Sequence, residues 1–401
     1  MALLLTLHII SPLVFLPTLV LSLPLPWNYT GFSRFPSFYF GASADPQSPS
    51  QLALVARFAL VGWDWQQSFS HGHGEAQGYA AAAALRKVSP AGPPTSPDAT
   101  FVYRQSESLF TYYDLFLNVT RDPSLLFAAS LHDPVTSKSC GGGGLLAYSN
   151  STFTSYWVEK VGGEVATEAP LVNAVFYDGY DKLYAGNTLA SQGCPNFNSN
   201  ATAHELRAKI AATATQAKLL NAAGVVPFIS TYNYLKAAAV GVELEGVESA
   251  SLRAMNGVYE DELVENLRNR SWLRFYEVWL GHGEAQDSAQ ISNAILEGDA
   301  GVPFVARSDP KTMHSLEYGA MGFLIAQASG CYWGASSGWL DPDWPWRGIF
   351  DWKVGPPLGN ATRINSYTWT RAFQHANVTV NTKVGKSELV FEGDTYYGRR
   401  R

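Results

Sequence analysis

The sequence predicts an α/β fold, a (β/α)8 TIM barrel with a small C-terminal β appendage. Three observations lead to it. Short apolar runs recur along the chain, helical patterns fall between several of them, and eight such units fit within roughly 300 residues.

The expected strands are Phe38–Phe40, Phe58–Gly62, Phe101–Tyr103, Val172–Tyr177, Val225–Ser230, Gly257–Tyr259, Val302–Ala306 and Cys331–Trp333. Each is short, apolar and rich in aromatic or β-branched residues, as a strand buried on both faces requires. The expected helices are Ser50–Arg57 with a serine cap, Ala-rich Glu75–Lys87, amphipathic Thr152–Val161, Thr202–Ala223, Ala285–Leu296 and His314–Ala328. A doubly wound sheet would carry a glycine-rich phosphate loop after its first strand, and Gly41-Ala-Ser-Ala-Asp45 is not one. The third unit is irregular, with an extra apolar run at Leu125–Ala129 and the loop Cys140–Gly144 before Val172. After Pro356 the pattern changes to short strands at Thr368–Phe373, Val378–Asn381 and Glu388–Phe391. The organisation expected is a signal peptide over 1–22, a barrel over 27–355 and an appendage over 356–396.

Composition narrows the function. The chain is 46% hydrophobic and 15% charged, which excludes a disordered protein. A net charge of −6 argues against a nucleic-acid partner. A mean hydropathy of −0.06 argues against a polytopic membrane protein.

Residues Met1–Leu25 are almost wholly apolar and interrupted by Pro12 and Pro17, which reads as a signal peptide cleaved near Ser22. Seven N-x-S/T sequons follow, at Asn28, Asn118, Asn150, Asn200, Asn269, Asn360 and Asn377. The expected protein is therefore secreted and N-glycosylated, with no stable membrane insertion after cleavage. Of three cysteines, Cys140 and Cys194 lie in loops where they could pair, whereas Cys331 reads as a buried thiol.

Active sites of such barrels lie at the carboxyl ends of the strands. Asp178 ends the fourth run and is followed by Gly179, Tyr180 and Asp181. A carboxylate there can attack an anomeric carbon or stabilise an oxocarbenium ion; it can equally cap a helix or serve a structural ion pair. Glycoside hydrolysis needs a second carboxyl to protonate the leaving oxygen. Glu260 at the end of the expected sixth strand is the candidate, with Glu262 its substitute. The acidic triplet Glu260–Glu262 also fits the first turn of a helix. Trp63, Asp64, Arg104, Tyr180, Asp181, Tyr232, Arg307 and Trp333 are candidate substrate contacts, because sugars offer hydroxyls to polar groups and C–H faces to aromatic rings.

Other motifs are weaker. Gly334-Ala-Ser336-Ser-Gly338 matches the nucleophile elbow of serine hydrolases, with His375 a conceivable base, but Asp341-Pro-Asp-Trp-Pro breaks the helix such an elbow must feed. His71-Gly-His73 lacks matching histidines at later strand ends, so no metal or other cofactor is expected. The hexapeptide Gly-His-Gly-Glu-Ala-Gln occurs at both 72–77 and 281–286.

Val175-Phe-Tyr-Asp178-Gly-Tyr, Pro357-Leu-Gly359 and Thr370-Arg-Ala-Phe373 with Val378-Thr-Val-Asn381 resemble a little-characterised group of TIM-barrel glycoside hydrolases. That group lies near the clans of the α-galactosidases and endo-polygalactosaminidases. The resemblance implies a barrel, a fourth-strand Asp matching Asp178, a carboxylate from a later strand and a sugar-hydroxyl contact near Trp63-Asp64. The expectation is a glycosidase acting on a glycan or polysaccharide. A carbohydrate-binding barrel without catalysis and a serine hydrolase using Ser336 are the rivals.

Overall fold

The computed structural model describes residues 29, 31–41, 48–63, 74–89, 97–105, 148–168, 171–178, 199–230, 273–276, 279–281, 283–299, 303–308, 316–335, 346 and 348–392. Eight parallel strands form one sheet in sequence order. They are β1 Phe38–Gly41, β2 Leu60–Trp63, β3 Ala99–Gln105, β4 Ala174–Asp178, β5 Val226–Ser230, β6 Leu273–Tyr276, β7 Phe304–Ser308 and β8 Tyr332–Ala335. Helices stand between them: α1 Pro49–Val55, α2 Gly74–Val88, α3 Ser151–Ser155, α4 Gly162–Thr167, α5 Ser199–Ala222, α6 Glu284–Asp299 and α7 Leu316–Ala326. A π-helical turn, Tyr156–Val161, joins α3 to α4.

Seven of the eight expected strands overlap the observed ones. The sixth does not: β6 is Leu273–Tyr276, while 257–259 lies outside the described residues. The serine cap expected for α1 is present: Ser48, whose side chain accepts from the Gln51 N–H in a capping box. Among the described residues no helix is long and apolar enough to cross a membrane. Residues 1–28, which hold the expected signal peptide, lie outside the described set.

The sheet curls strongly. Strands in a sheet are about 4.8 Å apart, so β1 and β5 would stand near 19 Å apart if flat. Yet the Phe38 ring of β1 lies 6.3 Å from Phe228 of β5, and Phe40 of β1 lies 5.5 Å from Phe176 of β4. Phe38, Phe101 and Phe228, from alternate strands, contact one another pairwise. This is the layering seen where side chains from alternate strands fill a concave face. At the other edge Ser37 forms a parallel bridge with Trp333 of β8, and the Trp333 N–H donates to the Pro36 carbonyl at 2.9 Å.

Gly62 belongs to this inner layer. A Cβ there would collide with the ring of Phe101, so the ring occupies the space a side chain would need. Gly62→Val is expected to cost about 1–3 kcal/mol through overpacking, read as a lowered midpoint in urea unfolding with an unchanged slope.

The outer face of the sheet is covered by helices. Val102 faces Gly78 of α2, Tyr177 meets Trp157 and Gln216 of α5, and Phe304 packs on Phe323 of α7. Cys331 is a buried free thiol whose sulfur accepts the Ala328 N–H.

A second, antiparallel sheet follows, in the order β12-β11-β10-β9. Its strands are β9 Thr362–Asn365, β10 Thr368–Ala372, β11 Ala376–Asn381 and β12 Lys386–Phe391. Three of them coincide with the runs expected after Pro356. Arg371 ties this sheet to the main one: its guanidinium donates to the carbonyls of Ile325 and Gln327 at the carboxyl end of α7, and to Gly359. A cation there also complements the helix dipole.

Candidate active site

Register divides the strand residues into two faces, because partners side by side in a parallel sheet share a face and the side-chain period is two. The inner face is marked by Phe38, Phe40, Phe101, Tyr103, Phe176 and Phe228. Asp178 closes β4 two residues beyond Phe176 and stands level with Gln105 of β3. Its position therefore continues the inner row at the carboxyl end. Arg307 alternates with Ala306 and Ser308, which stand level with Trp333 and Ala335. Trp333 packs outward against Phe35 and Phe350, so Arg307 belongs to the inner row as well. It is buried.

Three of the expected substrate contacts take other places. Trp63 is level with Val102 and so lies on the outer face; it is 2% exposed, and its Nε1 has no hydrogen-bond partner among the described residues. Arg104 also faces outward: Nη2 donates to the Tyr79 hydroxyl of α2 at 2.7 Å, and the guanidinium lies over the Tyr79 ring. Trp333 is fully buried, and its Nε1 donates to Ser308 Oγ at 2.8 Å. Their strand-end positions were read correctly, but the pleat turns them into the layer under the helices. A ring wholly enclosed by protein has no face left for a sugar.

Arg104 still acts on the site's frame. It stands level with Tyr177, the residue before Asp178. The Tyr177 hydroxyl donates to Gln216 Oε1, and Gln216 Nε2 donates to the Trp157 carbonyl in the π turn. Burial pushes the Tyr177 phenol well above its ordinary range, against the opposing field of Arg104, so it remains a donor. The carboxyl end of β4 is thus anchored from behind by α5 and the π turn, and that of its neighbour β3 by α2.

Asp64, Tyr180, Asp181, Tyr232, Glu260, Glu262 and Ser336 lie outside the described residues. His375 sits in the exposed turn between β10 and β11, and the next described helical turn after β8 is Gly348–Asp351. The relocation of β6 brings forward a residue the sequence reading passed over. The residue following Tyr276 is Glu277, so the acid directly after the sixth strand is Glu277. A signal for it existed. The two copies of Gly-His-Gly-Glu-Ala-Gln run into the amino-terminal turns of α2 and α6, the helices after β2 and β6, four strands apart. Trp63-Asp64 before the first copy is echoed by Tyr276-Glu277 before the second.

The sequence profile of hypothetical glycosyl hydrolase family 15 matches residues 126–377, more than half of the chain. No curated protein matches it. Among solved structures, Ega3 of Aspergillus fumigatus in complex with galactosamine is similar at 10% identity over 78% of this chain and 94% of that one, with a TM-score of 0.40. The pneumococcal exo-β-D-N-acetylglucosaminidase StrH is similar at 11% identity over 80% and 83%, with a TM-score of 0.42. The α-N-acetylgalactosaminidase NagBb from Bifidobacterium bifidum is similar at 14% identity over 89% and 57%, with a TM-score of 0.38.

Proposed function

The chain belongs to hypothetical glycosyl hydrolase family 15, and from that premise we propose that it cleaves O-glycosidic bonds of a glycan or polysaccharide with two carboxylates at the carboxyl ends of its parallel strands. The observation that carries the reading is Asp178, at the end of β4 and in the inner row. Asp178 acts as nucleophile or as the base that activates water, and the acid after β6, Glu277, donates a proton to the leaving oxygen. Glu277 takes the role first given to Glu260 because the sixth strand ends at Tyr276. A carboxyl separation of about 5–5.5 Å gives retention, and about 6.5–9.5 Å gives inversion. Arg307 lies in the same inner row as Asp178.

The eight strands close as a (β/α)8 barrel over 27–355, with 356–396 as an appendage. The bridge between Ser37 and Trp333 and the ring contacts between β1 and β5 support closure. The protein enters the secretory pathway. The apolar amino-terminal run supports this, and Asn360 and Asn377 are themselves exposed.

A polysaccharide and glycan screen on protein secreted from a eukaryotic host tests the reading. Release of reducing ends from at least one glycan is expected, with Asp178→Asn as the inactive control. Binding of a glycan with no turnover by the wild type would give the role to a carbohydrate-binding module instead.

A further inference from the structure

The segment leaving β6 is held far more tightly than a connecting loop requires. The Trp279 N–H donates to the Arg307 carbonyl at 3.1 Å, its own carbonyl accepts from Ser308 Oγ at 3.3 Å, and its indole donates to the Gly319 carbonyl at 3.2 Å. The Leu280 N–H donates to Gln290 Oε1 at 2.9 Å. The Gly281 N–H donates to Asp287 Oδ2 at 3.0 Å, and the same oxygen accepts the Tyr318 hydroxyl at 2.9 Å. Three consecutive residues are therefore fastened to β7, α6 and α7 at once.

The backbone within this clamp is strained. Leu280 has φ 63°, the left-handed region in which a residue with a side chain is disfavoured. Glycine would make the same turn without that cost, and glycine follows at 281. Leucine is there because its side chain is used: it is fully buried over Gly322 of α7, where a Cβ would collide with it. Asp287 is itself buried, and burial together with its charge holds the Tyr318 phenol protonated as a permanent donor. Strain kept in place by an over-determined surround points to a segment whose exact course matters.

Resting on the reading of Glu277 as the acid, we propose that Asp287 and Tyr318 are positioning residues that fix the backbone at Gly281, four residues beyond Glu277. They do not touch substrate. They set the course of the chain that carries the proton donor, and a misplacement of about 1 Å there costs as much as 10²-fold in rate.

The test compares two substrates of the same sugar, one with a poor leaving group and one activated aryl glycoside that departs without protonation. Tyr318→Phe keeps the ring and removes the donor. Its kcat is expected to fall at least tenfold on the poor leaving group, with KM within twofold and little change on the aryl glycoside. Asp287→Asn, which keeps an acceptor for Gly281, should retain more activity than Asp287→Ala. A merely structural role predicts a lower melting temperature with kcat unchanged, or equal losses on both substrates, and either result would overturn the proposal. Glu277→Gln is the reference. If it shows the leaving-group pattern and Tyr318→Phe does not, the positioning role alone fails. If Glu277→Gln is as active as wild type on both, the assignment of the acid fails and the positioning role with it.

Discussion

Asp178→Asn will lower kcat for glycan hydrolysis by at least about a thousandfold while leaving the fold intact. The substitution keeps the shape of the side chain and removes its negative charge, so the loss reports chemistry rather than packing. The position follows from the chain: Ala174 to Tyr177 form a strand buried on both faces, and Asp178 is the residue at which that strand ends. An amide at this point neither attacks an anomeric carbon nor takes a proton from water. Melting temperature and substrate binding should change little, which separates this variant from one that misfolds. Wild-type turnover would remove Asp178 from the mechanism.

Glu277→Gln will carry the second largest effect, about 10²–10⁴-fold on glycans with poor leaving groups. Glutamine at 277 cannot supply the proton the departing oxygen needs. The loss should shrink toward nothing on activated aryl glycosides, whose leaving group needs no acid. Glu260→Gln and Glu262→Gln belong in the same assay, because they were the carboxylates nearest the expected sixth strand. Near-wild-type kinetics in both, beside a crippled Glu277→Gln, is the expected pattern. The reverse pattern would return the acid to the 260–262 segment.

The strands were legible because burial on both faces leaves an apolar imprint that no turn or surface helix imitates. Val172–Tyr177 and Val225–Ser230 were read from that imprint almost to the residue. β6 was not, because Leu273-Arg-Phe-Tyr276 is only four residues long and carries a charge, and the apolar run Gly257-Val-Tyr259 before an acidic triplet was read in its place. The repeated hexapeptide held the correction, since one copy follows β2 and the other must then follow its counterpart. The antiparallel strand β9 escaped for the opposite reason. All four of its residues are exposed, so no apolar alternation marks it.

Site residues were legible by strand end but not by face. Trp63, Arg104 and Trp333 all stand at or near the carboxyl end of a strand, yet the register assigns them to the helix-covered side. A shift of one residue exchanges faces, and these strands are apolar on both, so hydrophobicity alone could not choose between them. The close approach of the Phe101 ring to Gly62 settles the face, through contacts that only the folded sheet brings together. Arg307 was read at its strand end and also lies in the inner row.

Exogenous azide added to Asp178→Ala is the most direct measurement of the central claim. In the proposed mechanism, deleting the carboxylate leaves a hollow beside the anomeric carbon that a small anion can fill. The account predicts that azide restores turnover well above the variant's own rate and yields a glycosyl azide of inverted anomeric configuration. Undiminished hydrolysis by Asp178→Ala, with no glycosyl azide formed at any azide concentration, would contradict it.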